Sequence, residues 1–321
     1  MWRATTCGSP RRSRSNGHWA PVPERRRIVV FGDVIDDVVV VPRGPIRADT
    51  DTASSIRRRA GGSAANTAAW LGRLGAAVDF VGMVGVDDLE RHRELLARSG
   101  VTPHLTGHPD LPTGSIVVIV DGEQRTMLTE TGANAAMTPD AVADDLLDAA
   151  AIVHFTGYSL FGRPDDTALR SLIARAKARG VLVSVDPGSA GFLADFGAQR
   201  FLSAVAGADV LFPSLDEGRA LTGLATPEEI VARLAEDFAV VVLTLGTDGV
   251  LVAQNPGENM VTEPIRIDAI DTEIVDPTGA GDAFAAGFLD QWVRTGDAAG
   301  AARAGVLAGA RAVATIGGRP A

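Results

Sequence analysis

Residues 276–282 are the segment of this chain whose residue types and spacing could do chemistry. They read Asp-Pro-Thr-Gly-Ala-Gly-Asp and run into a predicted helix that begins at Ala280. The small residues Gly279, Ala280 and Gly281 would leave backbone N–H groups open at the helix start, where they suit an anion. Asp282 would add a carboxylate beside that anion, and an anion site with an adjacent base is what phosphoryl transfer to a hydroxyl needs. Taken alone, the segment is equally typical of a glycine-rich turn in which Asp282 only complements the helix dipole.

Lysine usage restricts the kind of nucleotide chemistry that the chain can use. Its only lysine is Lys177, in the charged C-terminal end of a predicted helix. A P-loop needs a lysine within its glycine-rich loop, and a protein kinase needs one on a strand. Both classes are therefore excluded, and any phosphate must be held by backbone amides, Mg²⁺ and arginine.

Composition and charge indicate a globular body with a basic N-terminal tail. Hydrophobic residues make up 46% of the 321 residues, and no apolar run is long enough to span a membrane. Residues 1–27 hold seven arginines and one glutamate, a net charge of +6, and are predicted to be disordered. Because the whole chain has a net charge of −10, residues 28–321 carry −16. Such an acidic body disfavours a surface that binds nucleic acid. The single cysteine, Cys7, allows no disulfide within the chain and fits a cytoplasmic location.

The order of the predicted elements is typical of the α/β class. Strands are predicted at 28–32, 79–84, 152–155, 181–185, 209–212 and 239–245, helices at 64–74, 87–99, 139–149, 165–179, 201–206, 217–221, 227–236, 280–294 and 298–314, and a hairpin near 249–261. Strands that alternate with helices predict a doubly wound, mostly parallel sheet flanked by helices on both faces. Two stretches that contain only predicted strands, 38–60 and 111–130, interrupt this order. We interpret them as a small β-sheet lid inserted in a single domain that covers 28–318.

Polar or glycine-containing sequences follow several of the predicted strands. In doubly wound sheets, ligands bind beyond the carboxyl ends of the strands. Each of these sequences alone is typical of an ordinary turn or helix cap, but together they favour a binding site. They are Gly32-Asp33, Thr156-Gly157, Asp186–Gly188, Pro213-Ser214 and Thr244–Gly246.

Two motifs make the chain resemble the ribokinase-like (PfkB) carbohydrate kinase family over residues 28–318. The first is Gly-Gly-Ser-Ala-Ala-Asn-Thr-Ala at 61–68, followed by glycines at 72, 75, 82 and 85. The second is the 276–282 segment, which continues to Ala286-Gly287. Supporting matches lie at 132–139, at 244–249 and at Thr113-Gly114 in the predicted lid, all in the family's order and spacing.

The resemblance implies roles for the catalytic and substrate-binding residues. Asp282 matches the base that removes the proton of the acceptor hydroxyl, and the amides of Gly279, Ala280 and Gly281 match the anion hole. The positions that match substrate contacts are Asp37, Gly61, Gly62, Asn66 and Thr113. The residue types fit, because a carboxylate accepts from two neighbouring hydroxyls and an amide both donates and accepts. The alternative interpretations are a strand-end turn residue for Asp37 and a helix-start cap for Asn66.

The resemblance also implies ATP and Mg²⁺ as cofactors. The positions that match ATP contacts are Ser214, Thr244, Gly246 and Gly249. Glu217 matches a residue that holds Mg²⁺ through water. Asp276 and the Thr278 carbonyl match ligands of a monovalent cation such as K⁺.

Several positions depart from the family pattern. Ser214 replaces the asparagine of an Asn-x-x-Glu element, although Glu217 is retained. Compared with ribokinases, Ile35 replaces an asparagine, Ser63 a lysine, and Gly157 a glutamate that binds sugar. Loss of polar contacts argues against ribose, because buried hydrogen-bonding groups set specificity for polyols. Tyr158 and His154 either supply other contacts or pack in the core at a strand end.

The sequence therefore predicts ATP-dependent phosphorylation of a hydroxyl group on a sugar or a sugar-like small molecule. A nucleoside kinase of adenosine or pseudouridine type is the alternative within enzymes, although the lid segments hold few aromatic residues. A non-catalytic regulator that binds sugar is the alternative from another class. We expect no nucleic-acid or membrane partner, and the resemblance implies a homodimer formed through the lid.

Overall fold

The computed structural model describes residues 27–121, 124–160, 165–255, 257 and 261–320. The predicted basic tail lies outside these residues except for Arg27, which begins the first strand and donates to Asp79 at 2.6 Å. The strands are β1 (Arg27–Phe31), β2 (Ile35–Pro42), β3 (Ser54–Gly61), β4 (Val78–Gly85), β5 (Val101–His108), β6 (Gly114–Asp121), β7 (Gln124–Glu130), β8 (Ala150–Thr156), β9 (Leu182–Asp186), β10 (Val210–Leu211), β11 (Val240–Thr244), β12 (Val250–Gln254) and β13 (Ile265–Ile267). The helices are α1 (Ser63–Arg73), α2 (Leu89–Arg98), α3 (Asp144–Ala149), α4 (Thr167–Ala178), α5 (Ala190–Phe196), α6 (Ala198–Ala204), α7 (Leu215–Thr222), α8 (Pro227–Leu234), α9 (Ala280–Thr295) and α10 (Ala298–Val313).

The larger sheet has the spatial order β13-β12-β11-β10-β9-β8-β1-β4-β5. Its strands pair in parallel from β5 to β11, and β12 and β13 add an antiparallel edge. Strands such as β1 and β11 are almost entirely apolar and buried because helices cover both faces. One core lies under α1, α2, α9 and α10, and the other lies under α3 to α8. The predicted doubly wound α/β fold is confirmed.

The smaller sheet has the order β3-β2-β6-β7, and it brings together the two stretches predicted to form it. Parallel pairing of β2 with β6 joins them, and antiparallel partners complete both edges. The register sets Asp37 of β2 opposite Arg59 of β3 and Ile116 of β6. Residues that are paired in this way share one face of a sheet. Asp37 therefore lies on the same face as Arg59 and Ile116.

Some elements differ from the sequence-based prediction. The pattern did not predict β5, whose Pro103 is tolerated because the strand lies at the sheet edge. It also did not predict α5, which begins after Ser189, whose side chain accepts from Phe192 N at 3.0 Å. The helix predicted at 139–149 is restricted to α3. Besides β11, β12 pairs with β13, which lies beyond the hairpin predicted to end at 261. Among the described residues, no helix is long and apolar enough to cross a membrane.

Candidate active site

The loop before α9 has the conformation that the sequence predicts for an anion site. Gly279 is the N-cap and adopts a left-handed φ of 77°, which favours glycine. A Cβ at this position would also lie 2.5 Å from the Cα of Gly318. Only glycine fits here, and Asp282 follows as the third residue of the helix.

The first amides of α9 differ in their availability. The N–H of Ala280 donates to the carbonyl of Pro277 over 3.3 Å. Those of Gly279 and Gly281 have no acceptor within the described residues. Two open N–H groups at a helix N-terminus favour an anion there, and the helix dipole adds to the attraction.

Asp282 is held by two residues of α1. Ser63 Oγ donates to its Oδ1 at 2.6 Å, and Asn66 Nδ2 donates to its Oδ2 at 2.9 Å. Burial raises the pKa of Asp282 to about 7, the two hydrogen bonds oppose the rise, and the carboxylates of Asp33 and Asp37 add to it. A base whose pKa lies near neutral pH is well matched to accepting a proton from a hydroxyl.

The start of α1 is stabilised by Asp33, which the sequence analysis placed among the strand-end candidates but gave no specific role. The N-cap, Gly62, has no side chain to offer. Asp33, two residues after β1, accepts instead from Ser63 N at 2.8 Å and from Ala64 N at 3.1 Å. Burial raises the pKa of Asp33, and these two hydrogen bonds counteract it. The carboxylate therefore fixes the helix that positions both partners of Asp282.

Asp37 reaches the site from the smaller sheet. Its carboxylate packs against Gly61, where a Cβ would overlap its oxygens. It accepts no hydrogen bond from any residue in the described part of the chain. Burial raises the pKa of Asp37 to about 6, Arg319 opposes the rise, and Asp33, Asp36 and Asp276 add to it. A half-buried carboxylate without a donor is suited to accept hydroxyl groups of a ligand.

A cavity of about 580 Å³ lies between the two sheets and the start of α9. Two of the three predicted polar substrate contacts, Asp37 and Asn66, line it together with Asp282. Its other wall is apolar or aromatic and comes from both the smaller sheet and the larger domain. Residues of this wall are Ile35, Ile116, Met127, Tyr158, Phe192 and Phe212.

A second cavity of about 460 Å³ adjoins the first, and both are lined by Thr244, Pro277, Ala280, Gly281 and Phe284. Gly246 and Gly249, two of the predicted ATP contacts, line this second cavity. The rest of its wall is mainly apolar, with Ile270, Ile274, Val306, Ala310 and Val313. An apolar chamber that opens onto an anion site fits a base linked to a chain of phosphates.

Ser214 and Glu217 form the start of α7. Ser214 N donates to Glu217 Oε2 at 2.7 Å, and Glu217 N donates to Ser214 Oγ at 3.3 Å, which is a capping box. Both residues line the larger cavity, as does Asp186 at the end of β9. Burial raises the pKa of Glu217, and the pKa of Asp186 is raised by burial and by the negative charges of Glu217 and Asp282.

These carboxylates fit a Mg²⁺ ion that arrives with phosphates. No group of three metal-ligating side chains occurs within the described ranges. Mg²⁺ commonly uses one or two carboxylates and completes its shell with water and substrate phosphates. The buried Glu217 and the half-buried Asp186 both have raised pKa values, and a cation bound beside them would stabilise their charged forms.

Comparison with known proteins settles the family. The model of the pfkB family of carbohydrate kinases matches residues 25–321. The chain belongs to the pfkB family. It is therefore a phosphotransferase whose acceptor is an alcohol group.

Named relatives in the pfkB family act on different substrates. The chain is 33% identical over 277 residues to an ATP-dependent ribose-1-phosphate kinase of Halopiger xanaduensis, covering 84% of this chain and 86% of that one. It is 29% identical over 287 residues to a nucleoside kinase of Methanothermobacter thermautotrophicus, covering 85% of each. Among solved structures, a putative ribokinase II of E. coli in complex with ATP and Mg²⁺ matches with a TM-score of 0.78 at 22% identity, covering 92% of this chain and 94% of that one.

Three residues that the pfkB resemblance assigned to the site lie outside both cavity walls. Thr113 is at the root of the smaller sheet, where its Oγ1 donates to Asp88 at 2.7 Å and accepts from Gly85 N at 3.1 Å. Gly61 packs against the carboxylate of Asp37 and does not line either cavity. The carboxylate of Asp276 accepts from Thr278 N at 3.0 Å and from Gly317 N at 2.9 Å, so it links the loop before α9 to the segment that contains Gly317.

The departures from the pfkB pattern have structural explanations. Gly157 packs against the carbonyl of Pro187, and this backbone leaves no room there for a side chain. Ser63, which replaces a lysine, contacts Asp282 directly. His154 is buried in the core and hydrogen-bonds Ser184, whereas Tyr158 lines the larger cavity and donates to Gly188 O at 3.1 Å.

Proposed function

We propose that this protein transfers the γ-phosphate of ATP to a hydroxyl group of a sugar or a sugar-like small molecule. The observation that carries the proposal is the position of Asp282, between two open helix amides and the cavity that Asp37 and Asn66 line. Asp37 accepts substrate hydroxyls and Asn66 holds the base, so that one hydroxyl of the substrate faces Asp282. Thr244, Gly246 and Gly249 bind ATP in the adjoining cavity.

In the reaction, Asp282 removes the proton of the acceptor hydroxyl as its oxygen attacks the γ-phosphorus. The new P–O bond forms while the bond to the leaving ADP breaks, and the proton stays on the carboxyl of Asp282. The N–H groups of Gly279 and Gly281 stabilise the charge on the transferring group, with Ala280 completing the turn. Bound by Glu217, Mg²⁺ would neutralise phosphate charge. The smaller sheet acts as a lid that excludes water, which otherwise competes as the acceptor.

The experiment is measurement of ADP production with a panel of sugars, sugar phosphates and nucleosides. We expect ADP release that depends on one class of acceptor and is abolished in Asp282→Ala, while binding of that acceptor largely persists. ATP consumption by Asp282→Ala at the wild-type rate would refute the mechanism. Binding of a sugar by the wild-type protein without any ADP release would support a non-catalytic regulator instead.

A nucleoside kinase is the second candidate. The wall of the larger cavity includes Tyr158, Phe192 and Phe212, and aromatic side chains stack on bases. The similarity to a named nucleoside kinase points the same way. ADP release with adenosine or pseudouridine, and not with sugars, would select this candidate.

Three further proposals rest mainly on the family resemblance. Asp276 and the Thr278 carbonyl bind a monovalent cation, and higher activity in K⁺ than in Na⁺ tests this. The lid sheet forms a homodimer, which its exposed Ile56 and Leu128 support, and light scattering of the purified protein tests it. An ATP-consuming enzyme of this kind would operate in the cytoplasm, which cell fractionation tests.

A further inference from the structure

The segment 316–319 contacts several elements that contribute residues to the larger cavity. The carbonyl of Ile316 accepts from Arg59 of the smaller sheet at 2.6 Å, and Gly317 N donates to Asp276. The carbonyl of Gly318 accepts from Trp70 Nε1 of α1 at 2.9 Å. This segment therefore links the lid sheet, α1 and the loop before α9.

Arg319 ends this segment beside Gly61, the residue against which the Asp37 carboxylate packs. Its Nη2 donates to the carbonyl of Gly61 at 2.9 Å, next to the glycine turn that opens α1. Its Nε and Nη1 atoms are buried and have no hydrogen-bond acceptor among the described residues. Leaving two guanidinium donors buried and unpaired is costly, so the position calls for a function.

The negative groups around Arg319 explain why a cation is placed there. Burial lowers the pKa of Arg319 to about 10, and the charges of Asp37, Asp36 and Asp33 oppose this. Asp37 itself faces several other charges. The carboxylates that act on it are Asp33, Asp36, Asp276 and Asp282, and the nearby cations are Arg319 and, across the strand pair, Arg59.

We propose that Arg319 is a positioning residue for the substrate site, which supplies the positive charge that Asp37 needs to accept substrate hydroxyls and holds the Gly61 turn in place. The proposal rests on the proposed function in taking Asp37 as a substrate ligand. Without Arg319, Asp37 would lose the positive charge that most opposes the surrounding carboxylates, so its pKa would rise from about 6. A protonated Asp37 accepts fewer hydrogen bonds and would weaken substrate binding.

The test starts with the free protein and needs no substrate. Carbon-13 labelling of aspartate carboxyl groups allows Asp37 to be followed by NMR during a pH titration, and Asp37→Asn identifies its signal by loss. We expect the titration midpoint of Asp37 to rise in Arg319→Gln by about one pH unit or more and to stay near the wild-type value in Arg319→Lys. Arg58→Gln is the matched control, because Arg58 lies on the neighbouring strand on the opposite, exposed face.

Kinetics give the second readout. For the acceptor identified by the ADP assay, KM of Arg319→Gln at about pH 7 should exceed its value at about pH 8.5 by about two- to fivefold, with kcat little changed. In an Asp37→Asn background, Arg319→Gln should add no such pH dependence. An unchanged Asp37 midpoint in folded Arg319→Gln would overturn the proposal.

Two further outcomes are decisive. If Arg319→Gln does not fold, Arg319→Lys replaces it in the titration, because lysine keeps the positive charge. A rise of a full pH unit in the Asp37 midpoint of Arg319→Lys would show that charge is not what Arg319 supplies. If the wild-type protein phosphorylates no acceptor, the proposed function fails, while the NMR titration still decides whether Arg319 controls Asp37.

Discussion

Replacing Asp282 by asparagine should make the protein more stable above about pH 7, where the wild-type carboxylate is ionised, while it greatly slows phosphoryl transfer. The side chain keeps its size, and an amide can still accept from Asn66 and donate to the hydroxyl oxygen of Ser63. What the change removes is a charge among the carboxylates of Asp33 and Asp37 in a poorly solvated position. The native protein therefore retains this charge at a cost in stability, as catalytic residues often do.

The size of the effect follows from the pKa of Asp282. Because its pKa is about 7 in the folded protein and about 3.9 in an unfolded chain, the unfolded state ionises first. Protonated Asp282 contributes to the free energy of unfolding of the wild type. This contribution is complete below the pKa of the unfolded chain and is lost as the pH rises through the pKa of the folded protein. The difference in free energy of unfolding between Asp282→Asn and the wild type should therefore be about 2.5 kcal/mol more favourable to the variant at about pH 8 than at about pH 5.

Urea unfolding of both proteins at the two pH values measures this difference, and general pH effects on the fold cancel in the comparison. Asp140→Asn removes an exposed carboxylate from another helical first turn and should show no comparable pH-dependent gain. The turnover number of Asp282→Asn should fall by about 10²- to 10⁴-fold, as expected for loss of a general base. The reasoning is wrong if Asp282→Asn is equally stable relative to the wild type at both pH values, or if it keeps full activity.

Three other predictions follow from the same site. The kcat/KM of the wild-type enzyme should fall about tenfold per pH unit below about pH 7, because protonated Asp282 cannot accept a proton; a flat steady-state profile from pH 5 to about pH 8 would contradict this. Gly279→Ala should lower both kcat and the melting temperature, because its Cβ would collide with Gly318. Gly296 also has a left-handed backbone, at the other end of α9. Gly296→Ala should therefore lower the melting temperature through similar backbone strain but leave kcat unchanged. Glu217→Gln should raise the Mg²⁺ concentration needed for half-maximal activity about tenfold or more, and an unchanged Mg²⁺ titration would remove Glu217 from metal binding.

Local features of the site were predictable from the sequence. The 279–281 segment has small residues followed by a helix, and the structure places Gly279 in the left-handed N-cap conformation that such a turn needs. The alternation of strands and helices predicted the parallel sheet, and the two β-only stretches predicted the smaller sheet. The functional roles of Asp37, Asn66 and Asp282 remain predictions, although the structure brings them to one cavity.

Other features depend on residues far apart in the chain, and no local pattern indicated them. Asp33 caps a helix that begins thirty positions later. Ser63, interpreted in the sequence as the loss of a lysine, contacts Asp282 across 219 positions. For Asp33 the signal was its place after a strand, but nothing in the sequence marked Arg319, which reaches the Gly61 turn from the end of the described chain.

By itself, the sequence determined the fold class and the position of the glycine-rich helix start at 276–282. Hydrophobic periodicity and small residues at a helix start act over neighbouring positions, so both can be read locally. Only the tertiary structure decided the chemical state of that segment. The pKa of Asp282 is set by burial, by Ser63 and Asn66 on α1, and by Asp33 and Asp37 beyond β1. Desolvation and charge interactions act through space, so they depend on which residues the folded chain brings together around the carboxylate.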